Sequence, residues 1–195
     1  NRHALLQHGL PGLLESLAAR REGLLARVDL GQAWTDLESV SDNGVFAAAG
    51  IDPNFLDYAA LDDTFRRDAL LGSLGGGNHF CEIGIVDRIE DGGVAMAAGL
   101  ASGDIVIVVH SGSLDFGQSV GAVTRTALHE RIGTAPDHRI LHAERDKKLH
   151  DRFLLGQANA ANAAFANRFF LGLQASEAIR RAVDREITAD LVYDA

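Results

Sequence analysis

The spacing of hydrophobic residues predicts helices at both ends of the chain. Leucines recur with helical periodicity over residues 4–28, and we expect an interruption at 9–12, where glycine and proline cluster. The same periodicity predicts a helix over 116–132 and a longer one over 145–170, whose alanine- and asparagine-rich part indicates close packing. A separate, shorter helix is predicted over 176–185.

Two segments in the middle of the chain predict β-strands. Residues 80–89 alternate between side chains of different polarity, as a half-buried strand does. Residues 105–109 are an uninterrupted apolar, β-branched run, which predicts a strand that is buried on both faces. A turn is predicted at 42–44, and a short helix over 64–71.

Length and composition limit the possible architectures. The chain has 195 residues, of which 47% are hydrophobic, and this predicts a single domain over 1–195 with a sizeable core. No apolar run approaches the length of a membrane span, so we expect no membrane partner. The single cysteine, Cys81, cannot form an internal disulfide, which is typical of a reducing compartment, and we expect a cytoplasmic location.

The net charge argues against one class of function. The chain carries a formal charge of −9, whereas proteins that bind nucleic acid through their overall field are basic, because contacts to phosphates drive that affinity. Any contact with nucleic acid must therefore depend on a local site.

Three consecutive glycines precede the candidate site, in the segment LGSLGGGNHFCE of residues 71–82. No Gly-Lys-Ser or Gly-Lys-Thr follows them, which excludes a Walker loop, and a strand rather than a helix comes next, which excludes a dinucleotide fingerprint. Glycines allow positive φ and a close approach of the backbone to a ligand. The alternative is an ordinary flexible turn.

The alternation of the first strand predicts a site with two layers. Asn78, Phe80 and Glu82 would share one face, and His79 and Cys81 the other. We expect Cys81, beside an aromatic residue on a strand, to be a buried apolar side chain rather than a nucleophile.

A second histidine, His110, follows the β-branched run directly. Neighbouring strands could bring it to His79, and a pair of neutral imidazoles can ligate zinc, manganese or iron, although such sites usually have three or more protein ligands. The alternative is two unrelated histidines. Ser111 and Ser113 lie beside His110 but form no recognisable nucleophile motif.

Several of these motifs resemble one known family. Residues 71–82 resemble the signature of the RtcB family of RNA-splicing ligases, and residues 108–113 resemble its second histidine motif. The Ala-Asn-Arg at 166–168 and the segment 191–194 also match that family in order and spacing. The resemblance covers roughly 60–195 and implies the central part of such a ligase, with an α+β fold of mixed β-sheets and flanking helices.

The resemblance also implies an activity. Members of the family join RNA 2′,3′-cyclic phosphate or 3′-phosphate ends to 5′-hydroxyl ends, in tRNA splicing and RNA repair, with GTP and manganese as cofactors. A histidine is guanylylated, and GMP then passes to the RNA end. By resemblance, His79 and His110 are metal ligands, while Asn78, Phe80 and Glu82 surround the guanylate.

The chain departs from the family pattern in three respects. The family's Asp-x-Gly-Cys-Gly metal motif is absent, the motif of the guanylylated histidine is absent, and Leu114 and Asp115 stand where the family usually has Arg-Gly. Two alternatives to a ligase therefore stay open. One is a catalytically incomplete RtcB-like module that binds metal, RNA or a protein partner without ligation, and the other is an unrelated metal-dependent hydrolase that uses His79 and His110.

Overall fold

The computed structural model describes most of the chain. The described residues are 2–19, 21–60, 70–132, 141, 143–144, 146–187 and 189–194. The short helix predicted over 64–71 lies almost entirely outside them. Among the helices of this described part, none combines the length and the apolar character that crossing a membrane requires.

The architecture combines six α-helices with a small sheet in the described residues. In chain order the elements are α1 (Arg2–Ala19), α2 (Leu30–Asp36), α3 (Leu56–Ala60), β1 (Phe80–Ile85), α4 (Gly92–Ala97), β2 (Ile105–His110), α5 (Asp115–Ile132) and α6 (Lys147–Val183). β1 and β2 form an antiparallel pair, and an isolated parallel bridge joins Val40 to Asp194. The predicted α+β fold class is confirmed.

The core lies along α6, which packs against α1, α5 and β2. One buried cluster comprises Leu5, Leu10, Leu13, Leu14, Leu17, Val28, Ala33, Leu37, Val40, Phe165 and Ala166. A second comprises Leu6, Phe55, Tyr58, Phe116, Val120, Ala160 and Ala163. Both clusters contain residues of α6, and the small side chains of its alanines let the neighbouring helices approach closely.

The predicted interruption of the first helix is a kink at Gly9. This residue has φ 54 and ψ −136, outside the helical region. Glycine is required there because a Cβ atom would lie 2.1 Å from the carbonyl oxygen of Gly44. The helix ends at Ala19, earlier than predicted, and Gly23–Arg27 forms a 3-10 turn instead, since the glycine at its start carries a large helix penalty.

Two buried asparagines of α6 stabilise the chain around this kink. The Nδ2 atoms of Asn159 and Asn162 both donate to the carbonyl oxygen of Leu6, at 2.9 and 2.8 Å. Asn162 also binds both backbone polar groups of Phe46, accepting from its N–H at 2.8 Å and donating to its carbonyl at 3.0 Å. Asn159 accepts from the N–H of Asp52 at 2.8 Å. These amides satisfy backbone groups that the irregular segments cannot pair among themselves.

The C-terminal helix corrects one sequence prediction. The separate helices predicted over 145–170 and 176–185 are one continuous helix, α6. Gly172 costs about 1 kcal/mol inside a helix, but the apolar residues on either side of it, Phe170 and Leu173, pack against the first core cluster. Tertiary packing therefore outweighs the local preference for a break.

The strand predicted over 105–109 exists, but the prediction that both its faces are buried is wrong. Ile105 is 67% exposed and Val108 is 42% exposed. The register places Ile105 opposite Ile85, which is 69% exposed, on the same face of the pair. A β-branched run indicates that a strand forms, but it does not indicate what covers that strand.

Replacing Asn162 with alanine is expected to lower the free energy of unfolding by about 2 kcal/mol, because the backbone groups of Phe46 lose their partner and the buried carbonyl of Leu6 loses one of its two donors. Urea-induced unfolding followed by circular dichroism measures this change. Gln157→Ala is the matched control, since Gln157 lies exposed on the same helix and its replacement should cost less than ~0.5 kcal/mol. Equal losses in the two variants would contradict the role of the buried amide.

A cluster of arginines surrounds Glu177 near the end of α6. Arg180 donates two hydrogen bonds of 2.8 Å to its carboxylate, and Arg181 donates a third of 2.7 Å. These bonds, from Arg180 first, lower the pKa of Glu177 from 4.5 to about 2. Because the folded-state pKa is depressed, the stability that this carboxylate contributes is complete above pH 4.5 and is lost as the pH falls toward 2.

Glu177→Gln should therefore destabilise the protein near neutral pH and have a smaller effect at about pH 3, where part of that stability is already lost. Urea unfolding of both proteins at the two pH values measures the difference. Glu186→Gln is the control, because Glu186 lies in the same arginine cluster but its side chain is 81% exposed. A stability difference for Glu177→Gln that does not change with pH would show that the ion pairs do not hold this carboxylate ionised.

Candidate functional site

The hairpin brings the two predicted histidines together. His79 directly precedes β1, and His110 is the last residue of β2, where it pairs in register with Phe80. The centroids of the two imidazole rings lie 5.8 Å apart, and their planes are tilted by 50°. Antiparallel pairing thus places the start of one strand beside the end of the other, so that both imidazoles meet at the same end of the hairpin.

Two further predicted residues contact His110. The ring of Phe80 stacks on it, with centroids 5.4 Å apart and an interplanar angle of 14°. The Nδ2 atom of Asn78 lies 3.2 Å from Nε2 of His110. An amide nitrogen can only donate, so Nε2 of His110 is the acceptor in this pair. Stacking and hydrogen bonding together hold the plane of this imidazole.

The predicted division into two layers holds only within the strand. β1 begins at Phe80, so the alternation of strand side chains does not govern Asn78 and His79, and both of them approach His110. Glu82 lies opposite Val108 in register and shares the face of Phe80. It is exposed. Cys81 lies on the other face and is half-buried.

The three glycines before the site are not equivalent. Gly75 has φ +80, and a Cβ atom there would lie 2.4 Å from Cδ2 of Leu114 and 2.7 Å from Nδ1 of His79. Gly77 has φ +75 but open space around it, and Gly76 has open space and no positive φ. Only Gly75 is therefore required for both its conformation and its contacts, and it allows His79 to pack against the loop.

The imidazoles of His79 and His110 fit part of the ligand set of a metal site. Nδ1 of His79 is buried and has no hydrogen-bond partner among the described residues, which is costly for a polar atom unless a ligand satisfies it. His79 and His110 could each supply a nitrogen ligand. Within the described ranges, no three His, Cys, Asp or Glu side chains gather into one group, so a complete set would need ligands from elsewhere.

The two serines beside His110 have structural partners. Ser111 donates its hydroxyl to the carbonyl of Leu74 at 3.1 Å. Ser113 accepts from the N–H of Gly117 at 3.1 Å, in the first turn of α5. Both hydroxyls thus stabilise the loop between β2 and α5.

Leu114 adopts an uncommon backbone conformation, with φ 49. A leucine in the left-handed region is strained, and such strain persists only where neighbouring contacts enforce it. Its side chain occupies the space that the missing Cβ of Gly75 leaves. Asp115 begins α5, where a negative charge is favourable beside the helix dipole.

Two residues of α6 that the sequence did not predict as site residues lie behind the site. Arg168 pairs with Asp194 and lies 3.4 Å from the carbonyl of Ser111, and Asn167 binds Ser111 and Gly112. Both belong to the Ala-Asn-Arg tripeptide at 166–168, which resembles a family motif. The polar pair Asn167-Arg168 within an apolar, alanine-rich part of the helix was the signal that could have indicated buried partners.

Comparison with known proteins decides the family. The family model described as tRNA-splicing ligase RtcB matches residues 15–195. The chain belongs to the RtcB family. The resemblance inferred from the two histidine motifs is confirmed, and the match extends further toward the N-terminus than those motifs do.

Three curated relatives illustrate the similarity. The chain is 31% identical over 182 residues to tRNA-splicing ligase RtcB of Pyrococcus horikoshii, and 29% identical over 181 residues to that of Pyrobaculum aerophilum. It is 33% identical over 167 residues to RNA-splicing ligase RtcB of Mycobacterium bovis. The matches cover 89%, 89% and 82% of this chain but only 20%, 36% and 36% of the relatives. This RtcB-family chain spans a fifth to just over a third of their length.

Gly75→Ala is expected to destabilise this RtcB-family chain by more than ~1 kcal/mol, because alanine is strained at positive φ and its Cβ would displace Leu114 or His79. Gly76→Ala is the matched control, and we expect it to change the free energy of unfolding by less than ~0.5 kcal/mol. Urea unfolding measures both, and histidine ring signals in NMR spectra report any displacement. Similar behaviour of the two variants would mean that the glycines form only a flexible turn.

Proposed function

We propose that this chain carries part of the metal and guanylate site of an RNA ligase that uses GTP and Mn²⁺. The reaction would join RNA 2′,3′-cyclic phosphate or 3′-phosphate ends to 5′-hydroxyl ends, in tRNA splicing or RNA repair. One observation carries the proposal: the imidazoles of His79 and His110 lie 5.8 Å apart at one end of the hairpin. The family match and the ligase names of the three relatives support it.

Each proposed residue has a role that its position supports. His79 and His110 would hold the Mn²⁺ ion with nitrogen ligands, and bound Mn²⁺ polarises phosphoryl oxygens. Phe80 keeps the ring of His110 in one plane by stacking. Asn78 would exchange its bond to His110 for a phosphate oxygen, since its amide nitrogen can only donate.

Glu82 would recognise the base of the guanylate. Its carboxylate is exposed on the face that carries Phe80 and His110, and an ionised carboxylate accepts from the two N–H donors on the pairing edge of guanine. We assign no nucleophile within this chain, so the guanylylated histidine would come from another part of the ligase.

A second candidate is a catalytically incomplete RtcB-like module that binds metal, RNA or a protein partner without joining ends. One observation favours it: in the described part of the chain, only two candidate metal ligands, His79 and His110, lie together. The family match weighs against an unrelated metal-dependent hydrolase. For both remaining candidates we propose one domain over 1–195, since α6 contributes to both core clusters. We also propose a cytoplasmic location.

His79→Ala and His110→Ala in the full-length protein should each weaken Mn²⁺ binding at least tenfold, because each variant removes a nitrogen ligand. Calorimetric titration with Mn²⁺, with and without GTP, measures the affinity. His129→Ala is the control, since His129 lies exposed on α5, away from the hairpin. Unchanged affinity in both site variants would overturn the metal assignment.

A ligation assay on the same proteins separates the two candidates. The substrates are one RNA with a 3′-phosphate end and another with a 5′-hydroxyl end, incubated with GTP and Mn²⁺. Joined product that is lost in His79→Ala supports the ligase. Mn²⁺ binding with no joined product from the wild-type protein supports the module instead.

A further inference from the structure

The loops that carry the two histidines meet at one buried side chain of α6. Asn167 is 1% exposed. Its Oδ1 atom accepts from the backbone N–H groups of Gly72 at 2.6 Å and Ser73 at 3.2 Å. Its Nδ2 atom donates toward the Ser73 carbonyl at 3.1 Å, the Ser111 hydroxyl at 3.1 Å and the Gly112 carbonyl at 2.9 Å. The amide thus uses its full capacity of two acceptor positions and two N–H donors.

These contacts join two segments that are distant in sequence. Gly72 and Ser73 lead into the glycine loop and His79, whereas Ser111 and Gly112 directly follow His110. Ser111 adds a direct link, because its hydroxyl donates to the carbonyl of Leu74 at 3.1 Å. A change at Asn167 would therefore reach both histidines through their own backbone.

We propose that Asn167 is a positioning residue, which sets the separation of the His79 and His110 imidazoles by fixing the loop before one and the loop after the other. It contacts neither imidazole, so its effect on the site is indirect. The inference concerns the geometry of the two rings. Only its consequence for Mn²⁺ binding rests on the proposed function.

Asn162 provides the comparison that separates positioning from general stabilisation. It lies on the same helix and is equally buried, and its amide likewise both donates, to two carbonyls, and accepts, from a backbone N–H. Its partners are Leu6 and Phe46, which belong to the N-terminal part of the chain and not to the hairpin loops. Loss of either amide should lower stability, but only loss of Asn167 should move the histidines.

The test compares Asn167→Ala with Asn162→Ala in the full-length protein labelled with ¹⁵N at histidine. We expect both variants to lower the urea midpoint. Only Asn167→Ala should shift the imidazole signals of His79 and His110, assigned with the His79→Ala and His110→Ala variants. It should also weaken Mn²⁺ binding at least tenfold, the range found when groups that orient metal ligands are removed.

Ser111→Ala keeps the inference testable if Asn167→Ala does not fold. It removes a single hydroxyl from the same network and should shift the same two imidazole signals by a smaller amount. Imidazole signals that stay unchanged in the folded variants of Asn167 and Ser111 would overturn the inference. If the wild-type protein binds no Mn²⁺, the proposed function fails, while the imidazole signals still decide whether Asn167 positions the rings.

Discussion

The structure depends on buried asparagine amides of α6 that pair with the backbone of irregular segments. Asn159, Asn162 and Asn167 are each no more than 1% exposed. Together they bind backbone groups of the kinked α1, of the segment from Phe46 to Asp52, and of both loops of the site. A buried backbone group without a partner costs about 1–3 kcal/mol, so the amides stabilise these segments by pairing with their backbone groups.

This arrangement explains the composition of the central part of α6. Alanine at 160, 163 and 166 allows close approach of the neighbouring elements, and asparagine beside the alanines supplies the polar contacts that such an approach demands. Asparagine is a poor helix former, yet in this position its cost is offset by bonds that no apolar residue could make. A fully satisfied buried network also favours a single arrangement of the chain, because any alternative leaves some of its members unpaired.

Residue spacing and glycine positions predicted those elements whose structure depends on local conformational preference. The kink near Gly9, the helix α5 and the two strands follow from residue spacing and from the positions of glycine. The sequence could not predict that α6 runs through Gly172, because the packing of Leu173 against a distant cluster decides it. The exposure of Ile105 and the partners of Asn167 depend in the same way on what lies next to them in space.

The sequence indicated that neighbouring strands could bring the two histidines together. It did not indicate that the loops beside them pack against each other. Leu114, which follows the His110 motif, fills the space left by the absent Cβ of Gly75, and the ring of His79 lies against the same glycine. Leu114 holds a left-handed conformation that is unfavourable on its own, so the contact between the loops must stabilise it. The strained backbone of Leu114 and the hydrogen bonds of Asn167 each depend on contacts with both loops. The fold therefore sets the separation of the imidazoles, and a metal ion bound as proposed would find its two nitrogen ligands already ordered, which reduces the cost of binding.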